Sequence, residues 1–151
     1  MREFASLDEW VAAKGEHLGY SDWHEVTQEQ VNTFADATGD HQWIHVDAEK
    51  AAQGPFGGTI AHGFLTLSLL PVLTHEIFTV GGLKMGINYG LNKVRFANPV
   101  KVGARVRAGA ELVDIKNTPA GKLSTLEVTF EVEGMDKPAC IAESLLLYVP
   151  A

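Results

Sequence analysis

The chain has 151 residues, and 19 acidic against 12 basic residues leave a formal net charge of −7. Hydrophobic residues make up 46 % and charged residues 21 %, too apolar for an intrinsically disordered chain and too acidic for general nucleic-acid binding. Cys140 is the single cysteine, which excludes an internal disulfide framework and a cysteine-rich zinc module. From the N-terminus onward, Glu3, Asp8 and Glu9 interrupt the apolar run that a signal peptide needs. The longest apolar stretch, Phe64 to Leu73, is too short to span a bilayer. The expectation is a cytoplasmic protein with no membrane and no nucleic-acid partner.

Ser6-Leu7-Asp8-Glu9 has the spacing of a capping box and predicts a short helix that stops near Gly15. His17 to Val26 is read as a first strand. Thr27-Gln28-Glu29-Gln30 is a second capping box, and Val31, Phe34, Ala35 and Thr38 follow at helical spacing until Gly39. Asp40 to Val46 reads as an irregular, polar connection. Asp47 then caps a short helix over Ala48 to Gln53, ended by Gly54-Pro55. From Ala61 to Phe78 one long helix is predicted, almost without a polar face in its first half and therefore buried. Pro71 removes a backbone donor and should bend it.

Everything after Gly81-Gly82 reads as strands. Leu83, Met85, Ile87, Tyr89 and Leu91 alternate with polar or small residues, and the phase slips before Val94 and Phe96, which predicts a bulge near Asn92-Lys93. Further strands are expected over Ala104–Ile115, Leu126–Val132 and Ile141–Val149. The fold class is thus α+β, one domain over residues 1–151, with a curved antiparallel meander wrapped around the long buried helix. Open sheet edges invite a second copy, so a homodimer is expected.

Gly39-Asp40-His41-Gln42-Trp43-Ile44-His45 places a carboxylate and an imidazole five residues apart after a helix end. In a loop both can face one cavity, and a carboxylate beside an imidazole suits general acid–base catalysis. The same residues also fit an ordinary turn and a quietly packed histidine. Ile60-Ala61-His62-Gly63 leads into the long helix, where free N–H groups and the dipole favour developing negative charge, and glycine permits close approach. Gly63 equally fits close packing, and His62 reads as a structural residue or pocket wall rather than a base. His41 and His45 have the i, i+4 spacing of zinc ligands, but Gly39 ends the helix before them and no further ligand motif joins them, so no metal is assigned. Leu83 to Ala110 carries Lys84, Lys93, Arg95, Lys101, Arg105 and Arg107 and no acid. That asymmetry fits an anionic ligand, or cross-strand pairing with Glu127, Glu131 and Glu133.

Phe34-Ala35-Asp36-Ala37-Thr38-Gly39-Asp40, then Ile44-His45-Val46-Asp47, then Ile60-Ala61-His62-Gly63-Phe64 resemble the MaoC-like R-specific enoyl-CoA hydratases, over about Thr27 to Val149. The family has asparagine-proline where this chain has Gln42-Trp43. The resemblance implies a single hot-dog fold and reversible addition of water to a trans-2-enoyl-CoA, giving an R-3-hydroxyacyl-CoA, in fatty-acid metabolism. It implies Asp40 and His45 as catalytic residues. Acyl-thioester contacts fall at Ile60, Ala61, His62 and Gly63 and at Gly86, Ile87, Asn88 and Tyr89. No cofactor is implied, the CoA thioester being the substrate. Two alternatives stand beside this: a dehydratase acting on 3-hydroxyacyl-carrier-protein substrates with the same residues, and a non-catalytic acyl-thioester-binding protein. A thioesterase fits less well, because Glu76 is the only acid on the long helix and lies far from Gly63.

Overall fold

Three capping signals start three helices. Ser6 Oγ accepts from the Glu9 N–H at 3.3 Å and opens α1 (Leu7–Ala12); Thr27 Oγ1 accepts from Gln30 N–H at 3.1 Å and opens α2 (Gln28–Thr38); Asp47 Oδ1 accepts from Lys50 N–H at 3.0 Å and opens α4 (Ala48–Ala52). The computed structural model describes all residues, Met1–Ala151. The other elements are β1 (Arg2–Phe4), β2 (His17–Tyr20), β3 (His24–Glu25), α3 (Trp43–Val46), α5 (Gly63–Ser68), α6 (Leu70–Thr74), β4 (Phe78–Val80), β5 (Leu83–Phe96), β6 (Arg105–Asn117), β7 (Lys122–Val132) and β8 (Cys140–Pro150).

The strand expected over His17–Val26 is two pieces, both paired with β6. Between them the buried Ser21 exchanges bonds with Ala108, its N–H donating to the Ala108 carbonyl and its Oγ accepting the Ala108 N–H. The connection expected to be irregular contains one helical turn, α3.

The long helix departs most from expectation. It is two short segments, α5 and α6, meeting at Leu69. Pro71 has no N–H to give the carbonyl four residues back, so the ladder breaks there. The expected last turn is absent: His75–Ile77 is a turn, and Phe78 begins β4, which pairs in parallel with β1. Nor is the helix buried on all sides, since Phe64 is 68 % and Val72 54 % exposed.

The main sheet runs β2-β6-β7-β8-β5, antiparallel, with β3 also on β6. A plain meander would pair β5 with β6; instead β5 pairs with β8 and forms the edge. Residues 97–104 carry the chain back across the sheet, past the start of α5, where the Ala61 N–H donates to the Val100 carbonyl at 2.8 Å. The predicted bulge is present: Leu91 opposes Ser144 and Val94 opposes Ala142, so two residues of β5 face one of β8. Two more extra residues, at Lys84 and Tyr89, bend the same strand.

The main core clusters Phe4, Trp10, Phe78 and Tyr148 with the inward side chains of β6, β7 and β8. The Trp10 Nε1–H donates to Ser124 Oγ at 2.8 Å inside it. A second cluster, Val26, Val31, Ala61, Leu65, Val100, Val106, Val132 and Ala139, lies under the entry to α5 and fixes that entry against α2. On the outer face Arg105 pairs with Glu133 and Arg107 with Glu131. Every residue of β5 keeps solvent exposure, including Met85, Ile87, Tyr89, Leu91 and Phe96. No helix is long and apolar enough to cross a membrane.

Candidate active site

Gly39 ends α2 in the left-handed region, φ 84°, with its N–H bonded to the Ala35 carbonyl at 2.8 Å. That conformation turns the chain sharply, which glycine does without steric penalty. Asp40 follows, and its carboxylate accepts the Gln42 N–H at 3.3 Å. α3 then turns His45 inward until only 6 % of it is exposed. The His45 ring donates through Nδ1 to the Ile60 carbonyl at 2.7 Å. The tautomer is assigned from that bond, since a carbonyl only accepts, and it leaves the Nε2 lone pair free. Gln28 clamps the same corner: its Nε2 donates to the His45 carbonyl at 2.8 Å, and its Oε1 accepts from Thr59 Oγ1 at 2.7 Å. The Ile60 N–H closes the stitch on the Ile44 carbonyl at 3.0 Å.

His62 is 2 % exposed. Its ring stacks on His45, centroids 3.9 Å apart at 25°, and its other neighbour is Phe34 at 4.8 Å. Nε2–H donates to the Asp40 backbone carbonyl at 3.0 Å. Nδ1 is buried without a partner, an omission that costs about 1–3 kcal/mol.

Asp40, His45 and His62 each offer one polar atom, all within 4.8 Å of one another. A water making two hydrogen bonds of about 2.8 Å at a near-tetrahedral angle spans roughly 4.6 Å, so one water bridges such a gap. A cation is a poorer fit. A metal bonds an imidazole along a lone pair in the ring plane, and two stacked rings aim those lone pairs side by side, not at one point. His41 lies apart, bonded through Nε2 to Asp36 at 3.0 Å, and that carboxylate raises its pKa.

Ile60, Ala61 and Gly63 line a cavity of about 260 Å³ with His45, Phe56, Thr66, Phe96 and Asn98; Asp40 is not in its wall. The Leu65 and Thr66 N–H groups bond the His62 carbonyl, while the N–H groups that open a helix have no acceptor within it. Gly63 is also tightly packed: a Cβ there would meet the Phe96 ring at 3.0–3.1 Å. Gly86, Ile87, Asn88 and Tyr89 are not brought to this cavity within one chain. They lie on the edge strand, where Gly86 and Asn88 line a cleft of about 440 Å³ beneath α6, and Asn88 and Tyr89 a neighbouring one of about 380 Å³. Sequence reasoning missed Gln28, Thr59, Phe56, Phe96 and Asn98. Gln28 was visible only as part of a cap, with nothing local to tie it to His45.

The family profile described as "MaoC like domain" matches residues 9–135. The chain belongs to the MaoC-like dehydratase family. It is 61 % identical over 150 residues to the 3-hydroxyacyl-thioester dehydratase Z of Mycobacterium tuberculosis, covering 99 % of each chain. It is 50 % identical over 140 residues to nodulation protein N of Rhizobium leguminosarum bv. viciae, covering 91 % of this chain and 87 % of that protein. Among solved structures, the (R)-hydratase of A. caviae involved in PHA biosynthesis superposes with a TM-score of 0.73 at 26 % identity, over 87 % of this chain and 96 % of that one. The MaoC-like chain is therefore a hot-dog protein of a hydro-lyase family, as its sequence motifs imply.

Proposed function

We propose that this MaoC-like protein is an R-specific enoyl-CoA hydratase, adding water reversibly to a trans-2-enoyl-CoA. The observation that carries the reading is the Asp40 carboxylate and the His45 ring converging within one water's span, with Nδ1 of His45 spent on the Ile60 carbonyl. An ionised Asp40 and that His45 tautomer both accept. A water between them gives one O–H to each and keeps an oxygen lone pair for C3. As the C3–O bond forms, one of the two bases takes a proton, and the C2=C3 electron pair moves into the thioester as an enolate. The Gly63 N–H meets that charge at the wall it shares with His45. A proton returned to C2 completes the addition, and the reverse sequence is dehydration. The thioester itself acidifies C2, so the residues named supply the whole proton traffic. The likeness to the A. caviae (R)-hydratase supports R stereochemistry.

Lys84, Lys93, Arg95 and Lys101 make no ion pair, whereas Arg105 and Arg107 are committed to Glu133 and Glu131. The free four suit the phosphates of CoA. The exposed apolar edge β5 suits a second copy of the chain, and Gly86–Tyr89 act there as acyl-thioester contacts at the subunit interface. The protein works in the cytoplasm. Dehydration of 3-hydroxyacyl groups carried by an acyl carrier protein is the second reading; the mycobacterial 3-hydroxyacyl-thioester dehydratase supports the dehydration direction and is neutral between the two carriers.

Loss of enoyl-thioester absorbance with crotonyl-CoA tests the proposal, with longer chains and carrier-protein thioesters to separate the two carriers. Folded Asp40→Asn and His45→Gln proteins should each lose about 10²–10⁴ in turnover, the usual worth of a general acid or base. Near-normal rates in both variants sink the dyad.

A further inference from the structure

We propose that His62 is a positioning residue for the Asp40–His45 pair: from a ring stacked against His45, its Nε2–H holds the Asp40 backbone in place. The inference deepens the hydratase reading and rests on it.

Asp40 makes two hydrogen bonds that involve its own oxygens. One, to the Gln42 N–H at 3.3 Å, is local; the other, from His62 at 3.0 Å, ties it to a distant element. Gly39 before it is in a left-handed turn conformation, and Asp40 itself is exposed. The His62 bond is therefore what sets the distance between the Asp40 carboxylate and the helix entry beneath His45. His62 itself occupies the N-cap of α5 but makes no capping bond. Serine, threonine, aspartate or asparagine would satisfy that helix better. Phenylalanine would stack on His45 and Phe34 equally well and would leave no buried nitrogen unpartnered. What histidine alone adds at this place is an N–H on the Asp40 carbonyl at the far edge of a flat ring. The other charged groups nearby, Asp36 and His41, are bonded to each other.

Two substitutions divide the role. His62→Phe keeps the ring and loses the donor. His62→Gln keeps a donor near the Nε2 position and loses the ring. A displacement of Asp40 by about an ångström is worth on the order of 10² in rate when the reacting groups must be aligned. His62→Phe is therefore expected to lower kcat for crotonyl-CoA roughly 10- to 100-fold with KM within about threefold, and His62→Gln to retain most of kcat. In an Asp40→Asn background, His62→Phe should cost nothing further, because it acts through Asp40. In the ligand-free protein, amide exchange at Gly39 and Gln42 should quicken in His62→Phe and not in His62→Gln.

Wild-type kcat and unchanged exchange in a folded His62→Phe protein overturn the proposal. So do equal losses in both variants that track their melting temperatures, which is the signature of packing alone, and so does failure of both to fold. A wild-type chain without hydratase activity defeats the hydratase reading instead; the exchange measurement then still decides whether His62 holds Asp40.

Discussion

Gln28→Leu removes a clamp while preserving side-chain bulk. Two hydrogen bonds of 2.7 and 2.8 Å that brace the site disappear, from Thr59 Oγ1 and to the His45 carbonyl, together with an exposed one of 2.9 Å to Asn32 Oδ1 that adds little. Thr59 is 9 % exposed, so its hydroxyl is poorly placed to recruit water. At about 1 kcal/mol net for each bond, rising where a buried partner is left unsatisfied, the loss is roughly 2–3 kcal/mol. For a domain of this size each kcal/mol moves the melting temperature about 2–4 °C, so a fall of roughly 4–12 °C is expected by circular dichroism. The same bonds join the backbone of His45 to the strand-like segment whose next residue, Ile60, orients the ring. Turnover should therefore fall as well, at a temperature where the variant is fully folded. A melting temperature within about 1 °C of wild type, far below what the lost bonds are worth, with unchanged turnover would refute the idea that Gln28 braces the site.

Glu76 is held below the ordinary carboxylate range by its hydrogen bond to His24 and by the Asp22 N–H. A depressed carboxyl stabilises the fold above its unfolded value and loses that contribution as pH falls through the folded one, so Glu76→Gln should flatten the drop in melting temperature below about pH 4.5. Burial pushes the Cys140 thiol up to about 11; iodoacetamide at pH 8 should leave the native protein unlabelled and label it fully in denaturant. Ile87→Lys puts a charge in the middle of the exposed apolar edge; under the proposed pairing of two copies through β5, sedimentation should show a mass shifted toward monomer relative to wild type, and an unaltered mass would refute that pairing.

Much of this was legible in the residues because it depends on neighbours in the chain. Ser6, Thr27 and Asp47 cap helices through bonds three residues away, and the alternation in β7 needs only a buried face. The pairing of Asp40 with His45 was suggested by their five-residue spacing just after Gly39 ends α2. The rest depends on distant partners. Pairing of β5 with β8 instead of β6 is decided by where residues 97–104 cross, which periodicity does not encode. The bulges at Lys84 and Tyr89 leave the alternation of Leu83 to Leu91 unbroken, because an edge strand exposed on both faces has no buried side to enforce a phase. The bond from His62 to Asp40 spans two elements, so the sequence displayed a histidine beside a glycine and nothing of its grip.

The surplus residue at Asn92-Lys93 has a consequence for how this chain tolerates changes in length. There the slip in hydrophobic phase and the extra residue cancel, so the side chains on either side keep their faces. Shortening the strand by one residue at that point restores an unbroken ladder. The same deletion in the middle of β7, which has no slack against β8, would reverse inside and outside for every residue beyond it. Within one sheet, then, one ribbon can absorb a lost codon and its neighbour cannot.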